Sequence, residues 1–412
     1  MSAAPAQFPT ATILAYPRIG RERQLKRALE ARWAGRITDA ELTQAADELR
    51  RENLARLVEL GLGATDASLA DAPSLYDHVL DATILLGAIP PRFAGRKGLD
   101  LYFALARGDD QVGPEEMTKW FDTNYHYLVP EIGPDTPLHF ADDTLTRRFV
   151  TAREWGYVTR PVVVGPVTYL ALAKADPATP DFDPLSRIDE AVAAYAQALA
   201  SLHAAGAPWV QLDEPALTSD NLSRPRAELA ELAARVYERL AAQQDRPQIL
   251  LTTPYGDASD AIGACAATGV EAIHVDTLRG SLPQGADLSG VTLVVGAVDA
   301  RYIWRADLAA LRATLRSSLG LRGSASPPPT PCSMSLTTPP LRRGTIPRST
   351  RTFTRGWPSL TRRSPRLSRW LPACARAGTL SIARSPRRRA SSSSGPPPPE
   401  WCAPTSARVR RR

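Results

Sequence analysis

From Leu321 to Arg412 the chain contains no lysine, no aspartate and a single acid, Glu400, against 19 arginines. Pro, Ser and Thr fill most of what remains. Cysteine is scarce throughout: of four, only Cys265 precedes residue 321. One thiol can build neither a disulfide framework nor a cysteine zinc site, which points to a reducing, cytoplasmic setting. No run of about 18 apolar residues exists, so no transmembrane helix is expected. Met1–Thr12 is short and polar and lacks the basic end and apolar stretch of a secretory signal. Gly95-Arg-Lys-Gly98 lacks the spacing and hydroxyl of a phosphate-binding loop, and no glycine-rich dinucleotide turn follows the first apolar run. No His/Cys/Glu set is spaced like a catalytic zinc site. The sequence therefore assigns no catalytic residue and no metal ligand.

The net charge of +7 hides a division. The segment after residue 320 carries +18, so residues 1–320 carry −11. A basic tail suits nucleic acid or an anionic membrane. Natural basic arms, however, mix Lys with Arg and carry a motif or a period, and neither is present. No membrane partner is expected, and nucleic acid is disfavoured. Arg, Pro and Ser without apolar periodicity cannot offset ordering entropy, so residues 321–412 are expected to be disordered or poorly packed. Residues 1–320 form the expected globular domain.

Within that domain short β-rich runs alternate with long helical patterns. The expected strands are Thr12–Tyr16, Ser68–Ala72, Pro161–Gly165, Trp209–Asp213, Ile249–Thr253, Ala272–Asp276 and Leu293–Ala297. Several are near-continuous Val/Ile/Leu runs, as in parallel strands covered by helices. Leu138–Phe140 reads as a short accessory strand. Expected helices include Asp39–Leu60, Ser186–Ala205 and Arg226–Gln243, rich in Ala, Leu, Glu and Arg. The alternation predicts an α/β fold of (β/α)8 TIM-barrel type, with an open doubly wound sheet as the second choice. In such barrels chemistry sits at the C-terminal ends of the strands.

Several motifs fall at such ends. After the first strand comes Tyr16-Pro-Arg-Ile-Gly20, then a helix start where Arg23 and Lys26, three apart, share one face. That pair either holds an anion or forms a solvated basic face. Glu115–Tyr127 sets Trp120, Phe121, Tyr125 and Tyr127 among several hydrogen-bonding groups, with Lys119 as the cationic contact. It is either a loop over a planar ligand or a surface loop anchored by aromatics. Asp213-Glu214 places two carboxylates at a strand end, for acid–base work or cation binding, or for helix capping or an arginine pair. Tyr76-Asp77-His78 and His274-Val275-Asp276 offer polar groups to a pocket or are simply hydrogen-bonded.

Taken together, these segments resemble the N-terminal half of cobalamin-independent methionine synthase. The matching strings are Tyr16-Pro-Arg-Ile-Gly20, Arg23-Gln-Leu-Lys26, Trp33-Ala-Gly35, Tyr76-Asp-His-Val-Leu80 and Glu116-Met-Thr-Lys-Trp-Phe121. Thr123-Asn-Tyr-His-Tyr127, Gly165-Pro-Val-Thr168, Leu212-Asp-Glu-Pro-Ala216 and Trp304-Arg-Ala-Asp307 complete the series. The likeness spans roughly residues 10–320 in unbroken order. It favours this family over a superfamily relative such as a tetrapyrrole decarboxylase. It implies methyl transfer from 5-methyltetrahydropteroyl-polyglutamate to homocysteine, without cobalamin, by a usually monomeric protein of two face-to-face barrels. By the same resemblance, the folate contacts fall on Arg23, Gln24, Leu25, Lys26 and Lys119. Where the family commonly has Glu, this chain has Gln24, which keeps the length and the carbonyl acceptor but loses the charge.

The resemblance also implies what is missing. The family's zinc, its ligands and its homocysteine site lie in a second barrel that this sequence does not carry. Cys332, Cys374 and Cys402 have no nearby His/Glu arrangement to replace it. The expectation is a folate-side barrel, inactive alone, with a folate-binding pseudoenzyme or a nucleic-acid-binding protein as the alternatives. An eighth core strand should begin near residue 324, where Ser324-Ala-Ser-Pro-Pro-Pro329 cannot form one. The barrel is therefore predicted to lack that strand. Back-translating Pro331–Pro340 with G or C at third positions and TC-type serine codons, then shifting the frame by one nucleotide, can give Pro-Val-Leu-His-Val-Pro-Asp-Asp-Ala-Ala, one of several strings that codon choice allows. That string contains the family's Leu-His-Val-Pro, so the sequence from about residue 321 reads as an out-of-frame continuation.

Overall fold

Eight parallel strands make one curled sheet in which each strand but one pair lies beside its neighbour in sequence. The computed structural model describes residues 6–301 and 304–318 and, for its backbone, the strand 332–337. The strands are β1 (Ala11–Ile13), β2 (Ala70–Asp71), β3 (Arg160–Val164), β4 (Trp209–Asp213), β5 (Gln248–Thr253), β6 (Ala272–Asp276), β7 (Thr292–Asp299) and β8 (Cys332–Thr337). Their order is β1-β8-β7-β6-β5-β4-β3-β2. The seven strands expected from sequence are all present, with ends shifted by a few residues.

The eighth strand is also present, which corrects the expectation that it is missing. Cys332–Thr337 pairs Ser335 with Gly296 on β7 and with Thr12 on β1. Residues 324–331, with prolines at 327–329 and 331, lie outside the described residues. The six residues that follow are free of proline, and the gap between β7 and β1 offers unpaired N–H and C=O groups on both sides. Backbone pairing then overrides a weak local signal. The remainder of 321–412, and with it the expected disorder, lies outside the described residues.

Residues 138–140 are not a strand. The His139 and Ala141 N–H groups instead bond to the Leu86 and Leu85 carbonyls at 3.0 and 2.9 Å, closing the end of helix α3. The helices that matter for the site are α1 (Gln24–Trp33), α2 (Asp39–Glu59), α3 (His78–Leu85), α4 (Gly98–Arg107), α5 (Thr144–Glu154) and α6 (Pro166–Leu172). Helix α2 starts on a capping box between Thr38 and Glu41. Farther along, α7 (Ile188–Ala204) and α8 (Arg226–Ala241) match the long helical patterns of the sequence.

Strand side chains alternate between two environments. Val210, Leu212, Ile249, Leu251, Ile273, Val275, Leu293 and Val295 join the large core under the helices. Trp209, Leu250, Ala272 and Val294 point the other way and meet Phe8 and Ala67 in an apolar floor. Above that floor come buried polar groups, Thr12, Arg160, Gln211, Thr252 and His274. A period of two thus separates a dry outer face from an inner face that turns polar towards the strand ends. Two antiparallel strands, Met117–Lys119 and His126–Leu128, form a separate hairpin.

Candidate functional site

The hairpin lies across the C-terminal ends of the strands. From the loop after β1, Arg18 donates to the Tyr125 hydroxyl and to the Tyr76 carbonyl, and the Tyr125 hydroxyl itself donates to that carbonyl at 2.8 Å. His78 stacks on Tyr125 and meets Trp120 edge-on, with centroids 5.7 and 4.4 Å apart. On the far side the Trp120 indole N–H reaches the Tyr255 hydroxyl, beyond β5, at 3.3 Å. Arg301, beyond β7, donates to the Asp122 carbonyl at 3.0 Å. Phe121 (φ 41°) and Tyr255 (φ 80°) both sit in the left-handed region, where a bulky residue is strained. The aromatics of 115–127 therefore act as anchors, with Trp120 and Tyr127 buried.

Helix α1 opens beside this hairpin. Gly20 has φ 80°, and a Cβ there would fall 2.2 Å from Gln24 Oε1. Glycine lets Gln24 fold back so that its Oε1 accepts the Glu22 N–H at 3.0 Å. Arg23, just before the helix, adopts φ 60° and ψ 37° and no side chain caps the helix start. That conformation costs a non-glycine residue roughly 1–2 kcal/mol. Arg23 and Lys119 are exposed, and among the described residues neither makes an ion pair. Lys26 pairs with Glu30 at 3.4 Å across one helical turn and stays part-exposed. Leu25 differs from the others: its side chain is buried, and its N–H is taken by the Ile19 carbonyl at 3.4 Å. Its cluster includes Leu128 of the hairpin, so α1 and the hairpin rest on one apolar base.

The paired carboxylates separate into two tasks. Buried Glu214 accepts the Val167 and Thr168 N–H groups at 3.1 and 2.6 Å and the Tyr237 hydroxyl at 2.9 Å. It caps α6, and the absence of a Cβ on Gly165 makes room for it. Burial pushes its carboxyl up to about 7. Asp213 faces inward, accepting from Thr252 Oγ1 at 2.6 Å and Gln211 Nε2 at 2.7 Å, and burial raises it to about 6. Asp77 caps α3 through the Val79 and Leu80 N–H groups at 2.8 and 3.0 Å. Asp276 accepts from the Tyr255 and Leu278 N–H groups. His274 is fully buried with both ring nitrogens unpartnered, and burial pushes it down to about 3. Among the described residues no group of three or more His, Cys, Asp or Glu can hold a metal.

Sequence reasoning passed over Arg18, Arg160, Tyr255 and Arg301. Arg18 lies within a quoted motif, and its position at the end of a buried strand is a usable signal. Tyr255 and Arg301 become relevant only once the hairpin crosses over to them.

A family model described as "Cobalamin-independent synthase, N-terminal domain" matches residues 10–320. The chain belongs to that family. It is 48% identical over 318 residues to a 5-methyltetrahydropteroyltriglutamate–homocysteine methyltransferase of Rhodococcus jostii, covering 76% of this chain and 41% of the relative. The protein of that name from Streptomyces coelicolor is 44% identical over 321 residues, with 76% and 41% covered. The chain thus spans about two-fifths of the length of these curated relatives. Among solved structures, a putative vitamin-B12-independent methionine synthase from Listeria monocytogenes aligns with a TM-score of 0.59 at 14% identity, covering 90% of this chain and 98% of that one. A B12-independent methionine synthase from Shewanella aligns with a TM-score of 0.57 at 15% identity, covering 91% and 97%. At such identities the structural likeness concerns the fold. Within the cobalamin-independent synthase family, the strand-end face of this domain is the surface to interpret.

Proposed function

We propose that residues 10–320 are the folate-side barrel of a methyltransferase that moves a methyl group from a 5-methyltetrahydropteroyl-polyglutamate to homocysteine. The observation that carries this reading is the placement of Arg23 and Lys26 at the start of α1 and of Lys119 on the hairpin. They stand on two elements that share one apolar base and are joined through Arg18 and Tyr125. A glutamyl tail carries one carboxylate per residue, and each charge-assisted contact contributes about 1.5–3 kcal/mol. Gln24 offers a neutral polar edge, and Leu25 serves the core beneath.

The residues described do not fit a catalytic zinc, because no three ligands converge. No methyl-transfer step is therefore assigned to this chain. Its own residues bind and orient the polyanionic donor, and activation of the sulfur acceptor falls to a part of the family's architecture beyond them. Met117, Leu278 and Trp304 are exposed large apolar side chains at or beyond strand ends. They suit a face covered by that further part. A folate-binding pseudoenzyme is the alternative, a role that the same cationic contacts would serve. The reading further places the protein in the cytoplasm; among the described residues no helix is long and apolar enough to cross a membrane.

We also keep the proposal that the sequence from about 321 is read out of frame. In the shifted frame Val-Leu-His-Val-Pro falls on positions 332–336, which coincide with β8. Both readings put a strand in the same gap. Sequencing the gene through codons 310–340 and beyond its stop tests this: an uninterrupted present frame contradicts it. For activity, purified protein is assayed with methyl-folate and homocysteine alongside metal analysis. Background turnover and no stoichiometric zinc are expected; turnover, or one tightly held zinc, contradicts the reading.

A further inference from the structure

A cavity of about 70 Å3 lies between the ends of β1 and β2 and helix α2, and the folate reading makes no use of it. Arg18, Arg50, Asp71 and Arg148 line it. Arg50 is only 6% exposed. Its Nε and Nη2 grip Asp71 at 3.0 and 2.5 Å, and Nη2 also reaches the Arg148 carbonyl at 2.6 Å. Its Nη1 is buried with no partner. The Arg148 guanidinium donates to the Pro73 carbonyl at 2.6 Å, and Arg18 donates to the Tyr76 carbonyl and the Tyr125 hydroxyl. The acceptors of Arg148 and Arg18 are all neutral, and only Arg50 among the three is paired with a carboxylate. Asp81 lies within range of both charges, yet it accepts its hydrogen bond from the Tyr102 hydroxyl at 2.8 Å. Asp47 also lines the cavity and makes no ion pair among the described residues.

We infer that this cavity is a binding site for one small oxyanion, a carboxylate or phosphate group. Three guanidinium groups line a space that holds about two waters by volume, or one anion of four or five heavy atoms. Guanidinium forks match planar and tetrahedral oxyanions and carry charge at any physiological pH. An apolar occupant would leave Arg50 Nη1 unpaired, and a cation would meet Arg18 and Arg148. Arg23, Lys26 and Lys119 do not line the cavity, although Arg18 and Leu25 do, so its anion is tested separately from the folate reading.

The test titrates the full chain with sodium phosphate, sodium formate and sodium chloride at constant ionic strength, following heat and Tm. Saturable binding of phosphate or formate, with a rise in Tm that chloride does not give, is expected. Saturation by formate alone identifies a carboxylate site; saturation by phosphate identifies a phosphate site. Arg148→Gln should weaken binding at least 10-fold, while Arg147→Gln, an exposed neighbour on α5, should leave it unchanged. Arg50→Lys keeps a cation beside Asp71 but removes the planar fork, and should weaken binding as well; it decides the matter if Arg148→Gln does not fold. Absence of saturable binding by both oxyanions, or unchanged affinity in the Arg148 or Arg50 variant, overturns the inference.

Discussion

Arg160 on β3 donates from Nη2 to the Ile13 carbonyl on β1 at 2.8 Å, across the one seam of the sheet where no backbone ladder forms. The same side chain reaches Thr12 Oγ1 at 3.0 Å, the Ala67 carbonyl at 2.7 Å and Gln211 Oε1 at 3.1 Å. Thr12 Oγ1 in turn donates to the Ser68 carbonyl at 2.7 Å. The buried Arg160 guanidinium and the Thr12 hydroxyl thus link β1 to the segment leading into β2, where the described strands share no backbone ladder. Burial pushes it down to about 9, and the charge of Asp213 opposes that shift.

Arg160→Met is expected to destabilise the domain by about 3 kcal/mol, because it strands several buried acceptors at once. Urea unfolding measures it. A loss below about 1 kcal/mol would show that the seam is held by something else.

His274 supplies a pH test. Its folded-state value lies far below the ordinary one, so the native protein holds it neutral while the unfolded chain takes up a proton. Stability from this group is complete above about pH 6.5 and falls as pH drops towards 3. At pH 5 the deficit is about 2 kcal/mol. Asp77 and Glu214, both raised to about 7, act in the opposite sense and lose stability as pH rises from about 4 through 7. The wild-type profile is therefore a partial cancellation. His274→Gln should lose less stability than wild type between pH 7 and 5, and parallel profiles would contradict the assignment.

The eighth strand can be tested without altering the rest of the sheet. Ser335 pairs with both neighbours, so Ser335→Pro removes a donor from a central ladder. A loss of about 1–3 kcal/mol is expected. An unchanged Tm would remove 332–337 from the sheet.

The sequence revealed seven strands because each is a Val/Ile/Leu-rich run bounded by turn residues, and such a signal is local. Cys332–Thr337 does alternate Cys, Met and Leu with Ser and Thr, but the run is short and flanked by prolines, and what places it is the vacancy between β7 and β1 in the assembled sheet. Asp213 and Glu214 read alike in sequence. They part only when β3 brings the Gly165-Pro166 turn beneath Glu214, whose partners Val167 and Thr168 lie nearly fifty residues away in the chain. Arg160 opens an apolar strand, and nothing local says that it faces inward. The basic helix start and Lys119 were legible as residue types, but the hairpin crossing that brings their elements together depends on Arg18, Tyr125 and Tyr255.

The most direct test of the account is a titration of the full chain with pteroyl-triglutamate and pteroyl-monoglutamate, in wild type and in Lys119→Ala. The account expects saturable binding that favours the triglutamate and weakens at least 10-fold in the variant, as loss of one charge-assisted contact requires. Equal affinity of wild type and variant, or no preference for the longer tail, would contradict it.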